Sequence, residues 1–247
     1  MKRDFFALYE ALAAGVDSDA PVTATTAGER WSMTETAEGL GLGMATPGQS
    51  IPARFPDGLV GLPLRQAACA ASSWNLEEAA FGLAAANAFY NTPARLESLN
   101  AWLPFEKYYT EGIDLRDRTV GIVGHMHGPP GLREQARAVY VLERAPQTGD
   151  YPDAACDVLL PQCDLVLITG SSLINKTLPH LLELCEGAIT VLTGPSVPMC
   201  PALLELGIDR LAGLVVTDRA GMAAHVRENR RGNPYVYGKS FLLERKG

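Results

Sequence analysis

The sequence has no CxxC pair, no apolar run long enough to span a membrane, and no excess of basic charge. Its five cysteines, at positions 69, 156, 163, 185 and 200, are odd in number and scattered. That spacing argues against a zinc ribbon and points to reduced thiols in a cytoplasmic protein. A membrane span needs about eighteen consecutive apolar residues, so no membrane partner is expected. Lysine and arginine number 21 against 28 aspartates and glutamates, a net charge of −7. This balance disfavours nucleic acid, whose phosphates reward clustered cations. The one basic cluster, Arg227, Arg230 and Arg231, reads as a solvated helix end. The amino terminus, MKRDFFALYEALAAGV, starts like a signal peptide, but Asp4 and Glu10 interrupt its apolar stretch. It is expected to form an amphipathic first helix.

What is present is the composition of an ordinary globular protein. With 47% hydrophobic and 20% charged residues over 247 positions, the chain can bury one large core or two modest ones. Residues 1–105 and 114–247 differ in texture. The first stretch predicts a helix over 4–14, then antiparallel strands in VTATTAGERWSMTET and EGLGLGMAT. Two alanine-rich helices follow. One runs over 63–73, and the other starts at Asn75, a natural N-cap with Glu78 three residues on. Pro93 and Pro104 punctuate a linker region rich in aromatics.

Beyond Asp114 come five short apolar strands, at 119–124, 138–143, 164–170, 188–194 and 211–218. Helical stretches at 132–136, 177–185, 201–206 and 219–229 alternate with them. Strands this apolar are buried on both faces, so the alternation predicts a doubly wound, mostly parallel Rossmann-like α/β sheet.

Ligands of such sheets bind outside the carboxyl ends of the strands. The first strand end, GIVGHMHGPPG, lacks the GxGxxG spacing of a dinucleotide site. Only about thirteen residues separate it from the next strand, so the first crossover helix must be short. Glu143 ends the second strand, nineteen residues past Gly124, where it can hold a ribose diol, bind a metal, act as a general base, or pair with Arg144 or Arg133 at the surface. Thr169, Gly170, Ser171, Ser172 and Asn175 gather donors and acceptors after the third strand, where Asn175 or Thr177 can also cap a helix. Gly194, Pro195 and Ser196 form a stiff turn after the fourth, with Cys200 beyond. His125 and His127, with Glu143 as nearest third ligand, are the metal candidates. His180 and His225 read as ordinary helix residues. Asn87, Tyr90 and Asn91 fall at i, i+3 and i+4 of an alanine-rich helix, either as a polar seam or as a second wall of a ligand cleft.

Taken together, ERW (29–31), GLGMAT (41–46), GLAAANA (82–88), GIVGH (121–125), VLERAP (141–146), LITGSSLINKTLPHLL (167–182) and LTGPSVP (192–198) resemble a bacterial and archaeal family of heavy-metal chelation domains, as does the GID and LAG pairing at 207–213. The likeness covers nearly the whole chain. It implies an α+β domain like the amino-terminal domain of enolase, followed by a Rossmann-like domain similar in part to methyltransferases, with a site between them. It also implies binding or processing of small molecules such as pterins, flavins or siderophores, connected with metal handling. The GHMHGPP loop departs from the bulkier apolar loop expected after GH.

The leading expectation is a protein that binds, and condenses or hydrolyses, a heteroaromatic or metal-chelating molecule in an interdomain cleft. Glu143 would be its catalytic group. Asn87, Tyr90, Asn91, Gly124, His125, Thr169, Gly170, Ser171, Asn175, Gly194, Pro195 and Ser196 would contact the ligand. A divalent metal ion is the candidate cofactor, and a homo-oligomer the candidate assembly. The alternatives are a non-catalytic metal or metallophore carrier using His125 and His127, and an S-adenosylmethionine-dependent methyltransferase.

Overall fold

A computed structural model describes residues 4–46, 51–104, 107–126 and 128–245. Helix α1 (Ala7–Ala14) buries Leu8, Tyr9 and Leu12. It starts later than the sequence suggests, because Asp4 turns the chain by accepting a hydrogen bond from the Phe6 N–H at 3.0 Å. Three strands follow, β1 (Ala24–Ala27), β2 (Trp31–Glu35) and β3 (Leu40–Met44), in an antiparallel sheet of that order. Its register pairs Thr25 with Thr34 and Met33 with Leu42.

Helix α2 (Leu64–Ala68) tightens into a 3-10 turn over Cys69–Ser72. The long helix α3 (Leu76–Tyr90) then begins at Asn75, whose Oδ1 accepts from the Glu78 N–H at 3.0 Å. Glu78 does not reach back to close a capping box. Its Oε1 accepts from the Phe55 N–H at 2.7 Å, while the Asn75 N–H donates to Ser73 Oγ. Twelve of the fifteen α3 residues are buried, which small alanines permit by letting neighbouring backbone approach closely. The proline-punctuated region beyond it holds α4 (Pro93–Leu99) and a bridge from Trp102 to Phe241.

The remaining elements run β4 (Thr119–Val123), α5 (Leu132–Gln135), β5 (Ala138–Glu143), β6 (Tyr151–Pro152), α6 (Cys156–Leu159), β7 (Leu165–Thr169), α7 (Ser171–Ile174), α8 (Leu178–Leu184), β8 (Ile189–Thr193), α9 (Pro201–Glu205), β9 (Arg210–Val216), α10 (Arg219–Arg227) and β10 (Gly238–Glu244). They build a seven-stranded sheet of order β10-β9-β8-β7-β4-β5-β6, parallel except for β10. All five strands read from the sequence are present. β6 and β10 are additions, and β10 extends the far edge by pairing antiparallel with β9. The first crossover is as short as its thirteen-residue spacing requires, since α5 has four residues.

The two parts share buried surface. One cluster of apolar side chains runs from Leu8, Tyr9 and Leu83 through Leu173 and Leu178 to Ile168 and Leu192. A second joins Trp31, Met33 and Leu42 of the small sheet to Leu214, Met222 and Val226. This shared packing fixes where the small sheet meets the strand ends of the large one.

Candidate functional site

From β4 the chain proceeds to β5 on one side and β7 on the other. This reversal is the point where open parallel sheets leave a crevice outside their carboxyl ends. Gly124 turns the chain there with φ of 100°, and a Cβ at this position would sit 2.9 Å from Thr169 Cγ2. Only glycine meets both demands at ease.

Glu143, at the end of β5, organises the turn after β4. Its Oε2 accepts from the His125 N–H at 2.9 Å, and its Oε1 accepts from the Arg144 N–H at 2.8 Å. The His125 ring then lies between two carboxylates, with Nε2 2.5 Å from Asp150 Oδ2 and Nδ1 3.9 Å from Glu143 Oε2. The imidazole remains 38% exposed. The Asp150 carboxyl is held below its usual range by the Gln147 N–H, then by His125, with Arg133 adding at longer distance. Asp150 was not singled out from the sequence, because an acid in a QTGD turn reads as turn chemistry.

Along the same edge, Thr169 Oγ1 and Ser171 Oγ lie 3.1 Å apart. Gly170 packs so closely on the next turn that an added Cβ would sit 3.2 Å from the Ser196 carbonyl carbon. That turn opens at Gly194, with φ of 121°, and runs through Pro195 to Ser196, whose Oγ accepts from the Met44 N–H of β3 at 2.9 Å. A continuous ledge therefore extends from Glu143 and His125 through Thr169 and Ser171 to Ser196 and Met44. Asn175 stands behind it, its Oδ1 accepting from the Thr177 N–H at 3.1 Å and the Thr177 hydroxyl at 2.6 Å.

The α3 polar residues lie in the seam beneath the ledge. Asn87 Nδ2 donates to the Leu42 carbonyl at 2.7 Å and the Ser196 carbonyl at 3.1 Å. Its buried Oδ1 has no hydrogen-bond partner among the described residues. Asn91 donates to the Val197 and Leu214 carbonyls and accepts from the Met199 N–H. Tyr90 reaches α1, donating to the Leu12 carbonyl at 2.9 Å, and its hydroxyl also meets the Cys200 thiol. The structure thus brings Asn87, Asn91 and Ser196 together and sets Tyr90 between α1 and Cys200.

Among the described residues, no group of three His, Cys, Asp or Glu side chains is arranged to hold a metal ion. The Nε2 of His125 is engaged by Asp150. His127 lies outside the described residues. Of the remaining histidines, His180 contacts Asp157 at the surface and His225 is buried against Tyr237.

Lys176 is a second residue that sequence reading passed over. It is 4% exposed with φ of 66°, and its Nζ donates to the carbonyls of Ala71 at 2.8 Å and Ile174 at 3.0 Å. Its ammonium also lies 4.9 Å from the Tyr9 ring centroid, so it ties the amino-terminal helices to α7. Burial pushes its pKa down to about 7. In the unfolded chain a lysine keeps its proton to about pH 10.4. Stability is therefore expected to rise with pH from about 7, because the unfolded state there binds more protons, by at most about 1.4 kcal/mol per pH unit. Above about pH 9 this gain is opposed by Cys156 and Cys163, whose thiols burial raises to about 11. Urea unfolding between pH 7 and 8.5 tests this. The stability of wild type should climb relative to Lys176→Met, and parallel pH curves would refute the assignment.

A Rossmann strand order joined to a small antiparallel sheet and its helices defines a two-domain α/β protein of mostly parallel type. The chain belongs to the DUF364 family, described as "Putative heavy-metal chelation", whose model matches residues 113–238; a second model of the same description, DUF4213, matches residues 9–90. A DUF364 protein of unknown function from Desulfitobacterium hafniense is 33% identical, covering 98% of this chain and 99% of its own, with a TM-score of 0.86. A family protein from Pyrococcus horikoshii shares the fold at 23% identity, with a TM-score of 0.77 and coverage of 97% and 99%. An uncharacterised protein of Methanocaldococcus jannaschii is 29% identical over 157 residues, 60% of this chain; the match spans 58% of that relative's length.

Proposed function

We propose that the protein binds a small metal-chelating molecule, of pterin, flavin or siderophore type, on the ledge at the carboxyl edge of its parallel sheet, and so takes part in heavy-metal handling. The observation that carries this reading is the exposed His125 imidazole, backed by Asp150 at 2.5 Å, at the strand-order reversal of the sheet. Chelating hydroxyls must lose protons to bind a metal, and an imidazole oriented by a carboxylate is suited to accept one. Thr169 and Ser171 supply neutral donors and acceptors, with Asn175 behind them, and Ser196 closes the far end. Glu143 acts as a positioning residue, since its oxygens accept backbone N–H groups of the turn. That use of the carboxylate favours a chelator over a nucleoside, whose ribose diol needs a strand-end acid free to receive it.

The test is a thermal-shift panel of pterins, flavins, and catecholate and hydroxamate siderophores, each with and without iron or zinc, with the metals alone as a further arm. A ligand at one hundred times its Kd adds about 2.7 kcal/mol of stability, a shift of several degrees. At least one chelator should stabilise wild type, and His125→Ala should abolish the shift. The reading fails if no chelator shifts the protein, if metal alone reproduces the effect, or if the shift survives both His125→Ala and Ser171→Ala.

A further inference from the structure

The four-residue α5 covers the β4–β5 face only in part on the side opposite the main core, burying Ile122 and leaving Val141 half-buried. Ile122 and Val141 are neighbours in register on that face. With Met126, Leu132 and Pro129 they floor a groove of about 330 Å³, whose rim carries Arg133 and Glu134. Its volume falls within the range of small-molecule sites. The groove begins at Met126, the residue after His125, and so adjoins the ledge.

Arg133 is exposed and lies close enough to help depress the Asp150 carboxyl, yet no carboxylate stands within ion-pair distance of it among the described residues. Asp150 is already engaged by His125 and by the Gln147 N–H. The guanidinium therefore keeps its planar fork of donors, the geometry that matches a carboxylate in bidentate fashion. A sheet face is flat, and Met126 adds a thioether that packs well against rings.

We propose that this groove is a subsite for an aromatic carboxylate, with the ring against Val141 and Met126 and the acid group on Arg133. The inference rests on the ledge reading, because it places the chelating edge of the ligand toward His125, and it deepens that reading by naming the ligand class. Glu134 on the same rim disfavours a second anionic substituent, so one carboxylate per ring is the expected match.

Salicylate is the probe, and its uncharged analogue salicylamide the control. Calorimetry should show salicylate binding to wild type at least tenfold more tightly than salicylamide. Arg133→Gln, at an exposed position, should remove that difference, and salicylate should perturb the backbone amide resonances of Ile122, Met126 and Val141. The proposal is overturned if Arg133→Gln binds salicylate as wild type does, if both probes bind wild type equally, or if neither binds. His125→Ala separates the two readings: salicylate retained in that variant but lost in Arg133→Gln supports the groove even where the ledge reading has failed. Loss in both variants supports a single site.

Discussion

Gly41→Ala is expected to destabilise the protein by more than about 3 kcal/mol, at the upper end of what overpacking costs. Gly39, just before β3, and Gly41 and Gly43 within it alternate onto one face of the chain, and that face packs against α3. A Cβ on Gly41 would lie 2.0 Å from the Ala84 carbonyl oxygen and 2.4 Å from the Ala88 nitrogen. Both are helix backbone, so no side-chain rotation relieves the contact. The whole of α3 must lift from the small sheet. That movement also separates the Leu42 carbonyl from Asn87 and strains the Met44 contact with Ser196, so the ledge loses its far end. Thermal unfolding should show a fall of roughly 6 to 12 °C or more for a chain of this size. Gly58→Ala is the control. Gly58 has φ of 80° with nothing within 4 Å of a built Cβ, so it isolates the backbone cost of about 1 to 2 kcal/mol. Equal effects of the two substitutions would show that close approach of α3 is not what Gly41 provides.

The same strand shows how far the sequence could be read. EGLGLGMAT announced itself as a strand, and the alanine-rich helix announced itself through its Asn75 cap, because both signals are local. Nothing local says that the glycine face meets the alanine face, since that pairing arises from tertiary packing. The five apolar strands of the large sheet were legible for the same reason the helix was: each is an uninterrupted apolar run, which burial on both faces imposes on β4, β7, β8 and β9, while β5 is half-buried. β10 was not, because GKSFLLE has one fully buried residue, Phe241, and mixed polarity, as an edge strand does. At the site, Gly124, Glu143 and His125 could be picked out from their places at strand ends. Asp150 and Lys176 could not. Asp150 meets His125 across twenty-five residues, and Lys176 is buried by Ala71, 105 residues away, against the ordinary preference of lysine for water.

Asn91 gives the second large effect, and it discriminates between volume and bonding. Its side chain is 3% exposed and makes three bonds to the turn and strand beneath the ledge. Nδ2 donates to Val197 O at 2.8 Å and to Leu214 O at 3.1 Å, while Oδ1 accepts from the Met199 N–H at 2.7 Å. In Asn91→Ala, one buried N–H and two buried carbonyls lose these partners. Leaving a buried polar group unpaired costs about 1 to 3 kcal/mol, the N–H more than the carbonyls, so a loss of about 3 to 4 kcal/mol is expected. Asn91→Asp has nearly the same shape and keeps the acceptor for Met199. It brings an anionic oxygen to face two carbonyls that need donors, so it should destabilise at least as much as alanine near neutral pH. Because protonation of the new carboxylate restores one donor, the deficit of Asn91→Asp should shrink as pH falls toward about 4, the ordinary range of an aspartate, whereas the alanine deficit should not change in parallel. Urea unfolding of the two variants measures both points. If Asn91→Asp were within about 1 kcal/mol of wild type at pH 7, the hydrogen bonds would not be what holds α3 to the Val197–Met199 turn. The burial of α3 alone would then have to account for the position of that turn, and with it the position of Ser196 on the ledge.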